Sequence, residues 1–187
     1  MELRWPTDQE LPSYADALER GWSPNTIDTG AGLVELEQLR CDPAAFLASL
    51  VDREAAGAPI PLPDGSLAER LPGFRKWMWD GEFCGSIGFR WQPGTEELPA
   101  DVLGHVGYAV VPWKRRLGYA AAALQAILPD AAAEGLRWIE ITCDVDNAAS
   151  QAVIERAGGV FIEQFAYPPR YGKGDGLRYR VDVTLGV

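Results

Sequence analysis

An apolar run, His105-Val106-Gly107-Tyr108-Ala109-Val110-Val111, is closed by Pro112 and followed by three cations, Lys114, Arg115 and Arg116. Gly118 and the small residues Ala120–Ala123 come next. These residue types suit a phosphate site. The first turn of a helix leaves backbone N–H groups unpaired and carries a partial positive charge. A glycine at that turn lets the backbone close on an anion. Strand, cationic turn and helix N-terminus together make a site for a phosphorylated ligand.

Acid–base groups are sparser. His105 is the single histidine, and its ordinary pKa suits proton transfer near neutrality. It reads equally well as a histidine hydrogen-bonded at a strand start. Asp144 and Asp146, at the end of a second apolar strand, are alternative bases, anions that attract a cationic amine, or loop caps. Cys41, Cys84 and Cys143 are odd in number and far apart, which fits neither a disulfide framework nor a metal-ligand spacing. With one histidine, no His-based metal site is expected.

The elements that must position these residues follow from periodicity and stop signals. Glu2–Trp5 reads as a first strand. Thr7 and Glu10 have capping-box spacing and open a helix from about Asp8 to Arg20. Trp22–Leu33, with Gly30-Ala31-Gly32, reads as loop. Asp42-Pro43 starts a helix reaching about Ala56, and proline-rich Gly57–Gly73 is another loop. Trp77–Trp79 and Phe83–Trp91 form a hairpin with a type I′ turn at Asp80-Gly81. Gln92–Gly104 is loop, and His105–Val111 continues an antiparallel meander. The helix from Gly118 buries Leu124, Ile127 and Leu128, kinks at Pro129 and ends near Gly135. Arg137–Val145 is a strand, Asn147 opens a helix stopped by Gly158-Gly159, and Val160–Tyr167 and Leu177–Leu185 are the last strands. The fold class is α/β, with a mixed, mostly antiparallel central sheet flanked by helices. No repeat or linker interrupts residues 1–187, so one domain is expected.

The net charge of −10 argues against nucleic acid or an anionic membrane surface as partner. No apolar run is long enough to cross a bilayer, and acidic residues near the N-terminus are unlike a signal peptide. A cytoplasmic location is expected.

Arg115-Arg116-Leu117-Gly118-Tyr119-Ala120 fits the pattern Q/R-x-x-G-x-G/A and follows Val110-Val111-Pro112. Asn147 and Ser150 fit N-x-x-S, followed by Val153-Ile154-Glu155 and Gly158-Gly159. In these residues the chain resembles the Gcn5-related N-acetyltransferase (GNAT) family. The resemblance implies a sheet whose fourth and fifth strands splay apart, with a cofactor-binding core over 75–187 and an acceptor side over 1–74. It implies acetyl-CoA as cofactor. Backbone N–H groups of Arg116, Leu117, Gly118, Tyr119 and Ala120 would cradle the pyrophosphate, with charge from Arg115 and Arg116. The backbone of Val110 and Val111 would pair with the pantetheine arm, and Asn147 and Ser150 would face the arm's outer end.

The implied reaction is direct acetyl transfer to a primary amine of a small molecule or peptide, by a monomer or homodimer. The oxyanion donor would be the backbone N–H at Val110 or its neighbour. His105 stands near where many relatives carry a glutamate, and it and Asp144 are the candidate catalytic residues. The family's usual acid, a tyrosine in the helix after Asn147, is absent. That absence supports the alternative of a catalytically inactive acyl-CoA-binding sensor or assembly subunit. The acceptor would meet the four long loops, Trp22–Leu33, Gly57–Gly73, Gln92–Gly104 and Tyr167–Asp175, whose Trp22, Trp91, Glu96, Glu97 and Tyr171 suggest an acidic, aromatic lining for a cationic amine.

Overall fold

The computed structural model describes residues 1–26, 29–61, 65–171 and 174–183. Strand β1 (Glu2–Arg4) leads into helix α1 (Leu11–Glu19). The helix opens later than the capping-box spacing suggests. Only half of the box forms: the Glu10 carboxylate accepts from the Thr7 N–H and hydroxyl, both at 3.2 Å, while Glu10 itself occupies the N-cap.

Helix α2 (Ala31–Cys41) begins within the stretch expected to be loop. A Cβ at Gly32 would lie 2.6 Å from the Trp22 carbonyl oxygen, so that glycine serves close packing rather than a turn. Leu33 and Val34 are exposed while Leu36 and Leu39 are buried, which blurs the apolar stripe. Helix α3 (Pro43–Ser49) is capped as expected, with Asp42 Oδ1 accepting from Ala45 N at 3.0 Å. It stops well short of Ala56, because β2 (Val51–Asp52) leaves to pair with a later strand. A small hairpin, β3 (Ile60–Pro61) and β4 (Leu67–Ala68), lies inside the proline-rich loop.

Strand β5 (Gly73–Trp79) is longer than expected and pairs with β6 (Phe83–Arg90). Trp79 faces Phe83, with a register shift at Met78/Trp79, so Asp80–Glu82 form a three-residue connection instead of a two-residue type I′ turn. Strand β7 (Val106–Val110) then leads through a short 3-10 turn to α4 (Tyr119–Ala133), which continues past Pro129. Strand β8 (Trp138–Asp144), helix α5 (Ala148–Arg156), and strands β9 (Val160–Ala166) and β10 (Asp175–Asp182) complete the described chain. Residues 184 and 185 of the expected last strand lie outside the described residues.

The ladders form two main sheets, β1-β5-β6-β7 with β2 on β5, and β8-β10-β9, and every pair in them is antiparallel. No ladder joins β7 to β8 among the described residues, so the strands that the resemblance expects to splay sit at the edges of separate sheets. One core lies between the sheets and α4 and α5, with Ile87, Val106, Leu124, Ile127, Ile139 and Ile154. The other face of the first sheet is covered by α1–α3 through an aromatic cluster. Tyr14 stacks on Trp77 at 4.5 Å and meets Phe83 edge-on at 4.9 Å. Aromatic contacts of this kind contribute about 1 kcal/mol each beyond area burial. They fix the angle of α1 against the sheet. No helix among the described residues is long and apolar enough to cross a membrane.

Candidate active site

The site is built where β7 ends. Arg116 and Gly118 have φ of +66° and +79°, and left-handed residues in a turn gather N–H groups into an anion-binding concavity. The first intrahelical bond of α4 is Ala122 N to Gly118 O at 3.1 Å, and no side chain caps the helix. Gly118, Tyr119, Ala120 and Ala121 therefore present their N–H groups at an open helix start, as an anion site requires. A Cβ at Gly118 would meet open space. What demands glycine there, in the protein alone, is the positive φ.

Side chains from a distant hairpin hold this turn. Tyr119 Oη donates to Asp80 Oδ2 at 2.6 Å, and Lys114 Nζ reaches Asp80 at 3.0 Å and Glu82 at 2.7 Å. The hydrogen bond from Tyr119, and then that from Lys114, hold the Asp80 carboxyl down at about 2. Lys114 is thus engaged by carboxylates. Arg116 makes no ion pair among the described residues, and Arg115 Nε donates to Val110 O at 3.3 Å. Asp80 lies 39 residues before Tyr119, and no local signal in the sequence pairs them.

Val110, Arg115, Arg116, Gly118, Tyr119, Ala120, Asn147 and Ser150 all line one cleft of about 740 Å³. Leu117 does not line it; its side chain is exposed. Val111 is fully buried, and its N–H donates to Cys84 O at 2.9 Å within the first sheet. Since ladder hydrogen bonds alternate sides along a strand, the N–H of Val110 faces the open edge and that of Val111 does not. Asn147 is a helix cap, its Oδ1 accepting from Ser150 N at 3.0 Å. Arg156, in the last turn of α5, also lines the cleft.

Tyr108 was not a candidate on sequence grounds. It shares a face of β7 with Val110 and lines the same cleft, its hydroxyl buried toward Ser150 without a well-formed hydrogen bond. Burial pushes its pKa up to about 12. The alternation of the strand could have pointed to it, because residues two apart share a face.

His105 has no exposed surface. Its N–H donates to Glu140 O at 2.8 Å, and Glu140 N donates to His105 Nδ1 at 2.9 Å. The ring is therefore the neutral tautomer with the proton on Nε2, which faces the Glu96 backbone without a well-formed hydrogen bond. Burial lowers its pKa to about 4. The Glu140 carboxylate accepts from Arg178 at 2.7 Å and Arg180 at 2.9 Å. Burial opposes its ionisation, yet the two arginines hold it below its ordinary range. Asp144 closes the end of β8: its carbonyl accepts from Asn147 N at 3.0 Å and its carboxylate meets the Tyr167 phenol. Neither His105 nor Asp144 lines the cleft.

A second cavity, of about 410 Å³, lies on the α1–α3 side of the first sheet and is lined by Arg75, Arg90 and Tyr171 among others. Asn25 lines both cavities. Arg75 Nη1 donates to Glu35 at 2.7 and 2.9 Å, and the Tyr14 hydroxyl donates to the same carboxylate. The expected acidic, aromatic lining assembles only in part: Tyr171 lines this cavity and Trp22 the first cleft, while Trp91, Glu96 and Glu97 line neither. Trp91 is buried against Phe89, and Glu96 pairs with Arg137 at 2.6 Å. Among the described residues no cluster suited to a metal ion occurs.

Comparisons with known proteins bear on the family and the fold. Residues 64–160 match the model of the acetyltransferase (GNAT) domain. A search of the curated proteins gives no match. Among solved structures, the chain is similar to the microcin C7 self-immunity acetyltransferase MccE in complex with acetyl-CoA and AMP. That likeness has 13% identity and a TM-score of 0.60, over 96% of this chain and 91% of that one. It is also similar to RimL, a ribosomal L7/L12 alpha-N-protein acetyltransferase in complex with coenzyme A. There the identity is 16% and the TM-score 0.60, over 96% and 92%. At such identities the likeness is one of fold.

Proposed function

The chain belongs to the acetyltransferase (GNAT) family, and from that premise we propose that it moves an acetyl group from acetyl-CoA directly to a primary amine of a small molecule or peptide. The observation that carries the reading is the uncapped start of α4, standing directly after the open edge of β7. The N–H groups from Arg116 to Ala120 would hold the pyrophosphate, with Arg115, Arg116 and Arg156 adding charge at the same cleft. The C=O of Val110 would accept from the pantetheine arm, and its N–H would stabilise the oxyanion.

The amine nitrogen forms a bond to the acetyl carbon, the carbon–sulfur bond breaks, and the amine proton leaves to water in the open cleft. Tyr108, protonated throughout the physiological range, gives its proton to the departing thiolate and recovers one from solvent. In this reading His105 positions β7 against β8. Its only free lone pair, on Nδ1, is already occupied by the Glu140 N–H, so it takes no proton from the amine. Asp144, engaged with Tyr167, fixes the end of β8.

The lack of a tyrosine in Ala148–Arg156 favours a second reading, an acyl-CoA-binding sensor. Thiol release from acetyl-CoA across an amine panel separates the two. Amine-dependent release supports the transferase; acetyl-CoA binding with no release for any amine supports the sensor.

A further inference from the structure

We propose that the second cavity is an anion subsite for the acceptor, in which Arg90 binds a carboxylate or phosphate group carried by the amine substrate. This deepens the transferase reading and rests on it for the identity of the ligand as acceptor.

The subsite follows from strand register. Gly73 pairs with Arg90, Arg75 with Gly88, and Gly88 with Gly107. Directly paired residues share a face of a sheet, so Arg75 and Arg90 flank a patch that the glycines leave bare. The guanidinium of Arg90 lies over that patch: its Nη2 would be 3.4 Å from a Cβ on Gly107.

The two arginines differ in what holds them. Arg75 is neutralised by Glu35. Arg90 makes no ion pair among the described residues. Arg90 is exposed and lines the cavity together with Arg75 and Tyr171. The carboxylates elsewhere in the cavity are Asp52, which binds Arg70 at 3.8 Å and the N–H groups of Ala56 and Gly57, and Glu69 and Asp101. None of these three forms an ion pair with Arg90 among the described residues. A guanidinium at a cavity wall with no counter-ion can take one from a ligand, and its planar fork matches a carboxylate or phosphate.

Position supplies the link to acetyl transfer. Gly107 precedes Val110 by three residues on the same strand, about 10 Å at 3.4 Å per residue. Asn25 lines both cavities. An acceptor anchored on Arg90 thus has its anion about 10 Å from the amine, a separation met by a short peptide with an acidic group or by an amine-bearing phosphate ester.

The test uses matched primary amines ending in a neutral amide, a carboxylate or a phosphate, with thiol release measured for wild type, Arg90→Gln and Arg90→Lys. Calorimetry with inorganic phosphate and with glutarate reads the subsite directly, and acetyl-CoA affinity and thermal unfolding check each variant. The expected result is kcat/KM at least tenfold higher for one anionic series than for the neutral amide. Arg90→Gln erases that advantage and weakens the matching anion at least tenfold, Arg90→Lys retains part of both, and acetyl-CoA affinity is unchanged. The series that gains identifies carboxylate or phosphate as the group. Equal rates for charged and neutral amines, or anion binding indifferent to Arg90→Gln, would overturn the subsite. Thiol release absent for every amine would overturn the transferase reading instead, and calorimetry would still decide whether Arg90 binds an anion.

Discussion

His105 and Glu140 exchange two hydrogen bonds across the closed end of the β7–β8 cleft, His105 N to Glu140 O at 2.8 Å and Glu140 N to His105 Nδ1 at 2.9 Å. The pair joins two sheets that share no ladder. Through the Glu140 carboxylate the same point is tied to Arg178 and Arg180 of β10. The opening in which Val110 presents its N–H is therefore hinged on a buried neutral imidazole.

That imidazole makes stability depend on pH. Its pKa is about 4 in the folded protein against an ordinary 6.5. The unfolded chain binds the proton more readily between those values, so stability is fully present above pH 6.5. It declines as pH falls toward 4 and is flat in this respect below. The magnitude is about 3 kcal/mol. Urea unfolding across this range should show the slope in wild type and lose it in His105→Asn, whose Oδ1 still accepts from Glu140. If His105 positions rather than transfers a proton, His105→Asn keeps kcat within about threefold, where loss of a general base costs 100-fold or more.

Gly118→Val places a β-branched residue at φ +79°. The expected cost is about 1–2 kcal/mol of stability, with acetyl-CoA affinity falling at least tenfold as the turn relaxes. Gly118→Asn, which tolerates the left-handed region, should lose less on both counts. Calorimetry and thermal unfolding read the two effects separately.

Asp80→Ala removes the acceptor shared by Tyr119 and Lys114. Loss of these hydrogen bonds should destabilise the protein by about 1–2 kcal/mol and raise the Kd for acetyl-CoA about fivefold. Because the carboxyl is held near 2 against an ordinary 3.8, this contribution is full from about pH 5 upward and is lost as pH falls through 4 toward 2.

Tyr108→Phe should lower kcat at least tenfold while the KM for acetyl-CoA stays within twofold, the pattern of a group used in the chemical step. With the phenol pushed up to about 12, the wild-type rate should show no alkaline limb from this residue below pH 10. A limb near pH 9 that vanishes in Tyr108→Phe would contradict the raised pKa, and kcat within threefold of wild type in Tyr108→Phe would contradict the assignment.

The turn around Gly118 and the Asn147 cap were legible in the sequence because each is local, a few residues long and marked by glycine or a capping side chain. Helix α2 was not, since Gly32 is there to approach Trp22 and exposed Leu33 and Val34 obscure its buried face. The early end of α3 depends on β2 finding a partner in β5, a pairing no local pattern encodes. The same holds for the site. Tyr119 finds Asp80, His105 finds Glu140, and Arg90 comes over Gly107 only once the strands are in register. Loop composition suggested an acidic acceptor lining, yet Trp91 and Glu96 are taken up by Phe89 and Arg137.

The central claim is tested most directly by a crystal structure of the complex with acetyl-CoA. The account predicts pyrophosphate oxygens within hydrogen-bond distance of the N–H groups between Arg116 and Ala120. It also predicts the thioester carbonyl at the Val110 N–H and the sulfur within reach of the Tyr108 hydroxyl. Acetyl-CoA bound away from the start of α4, or a thioester remote from Val110, would contradict it.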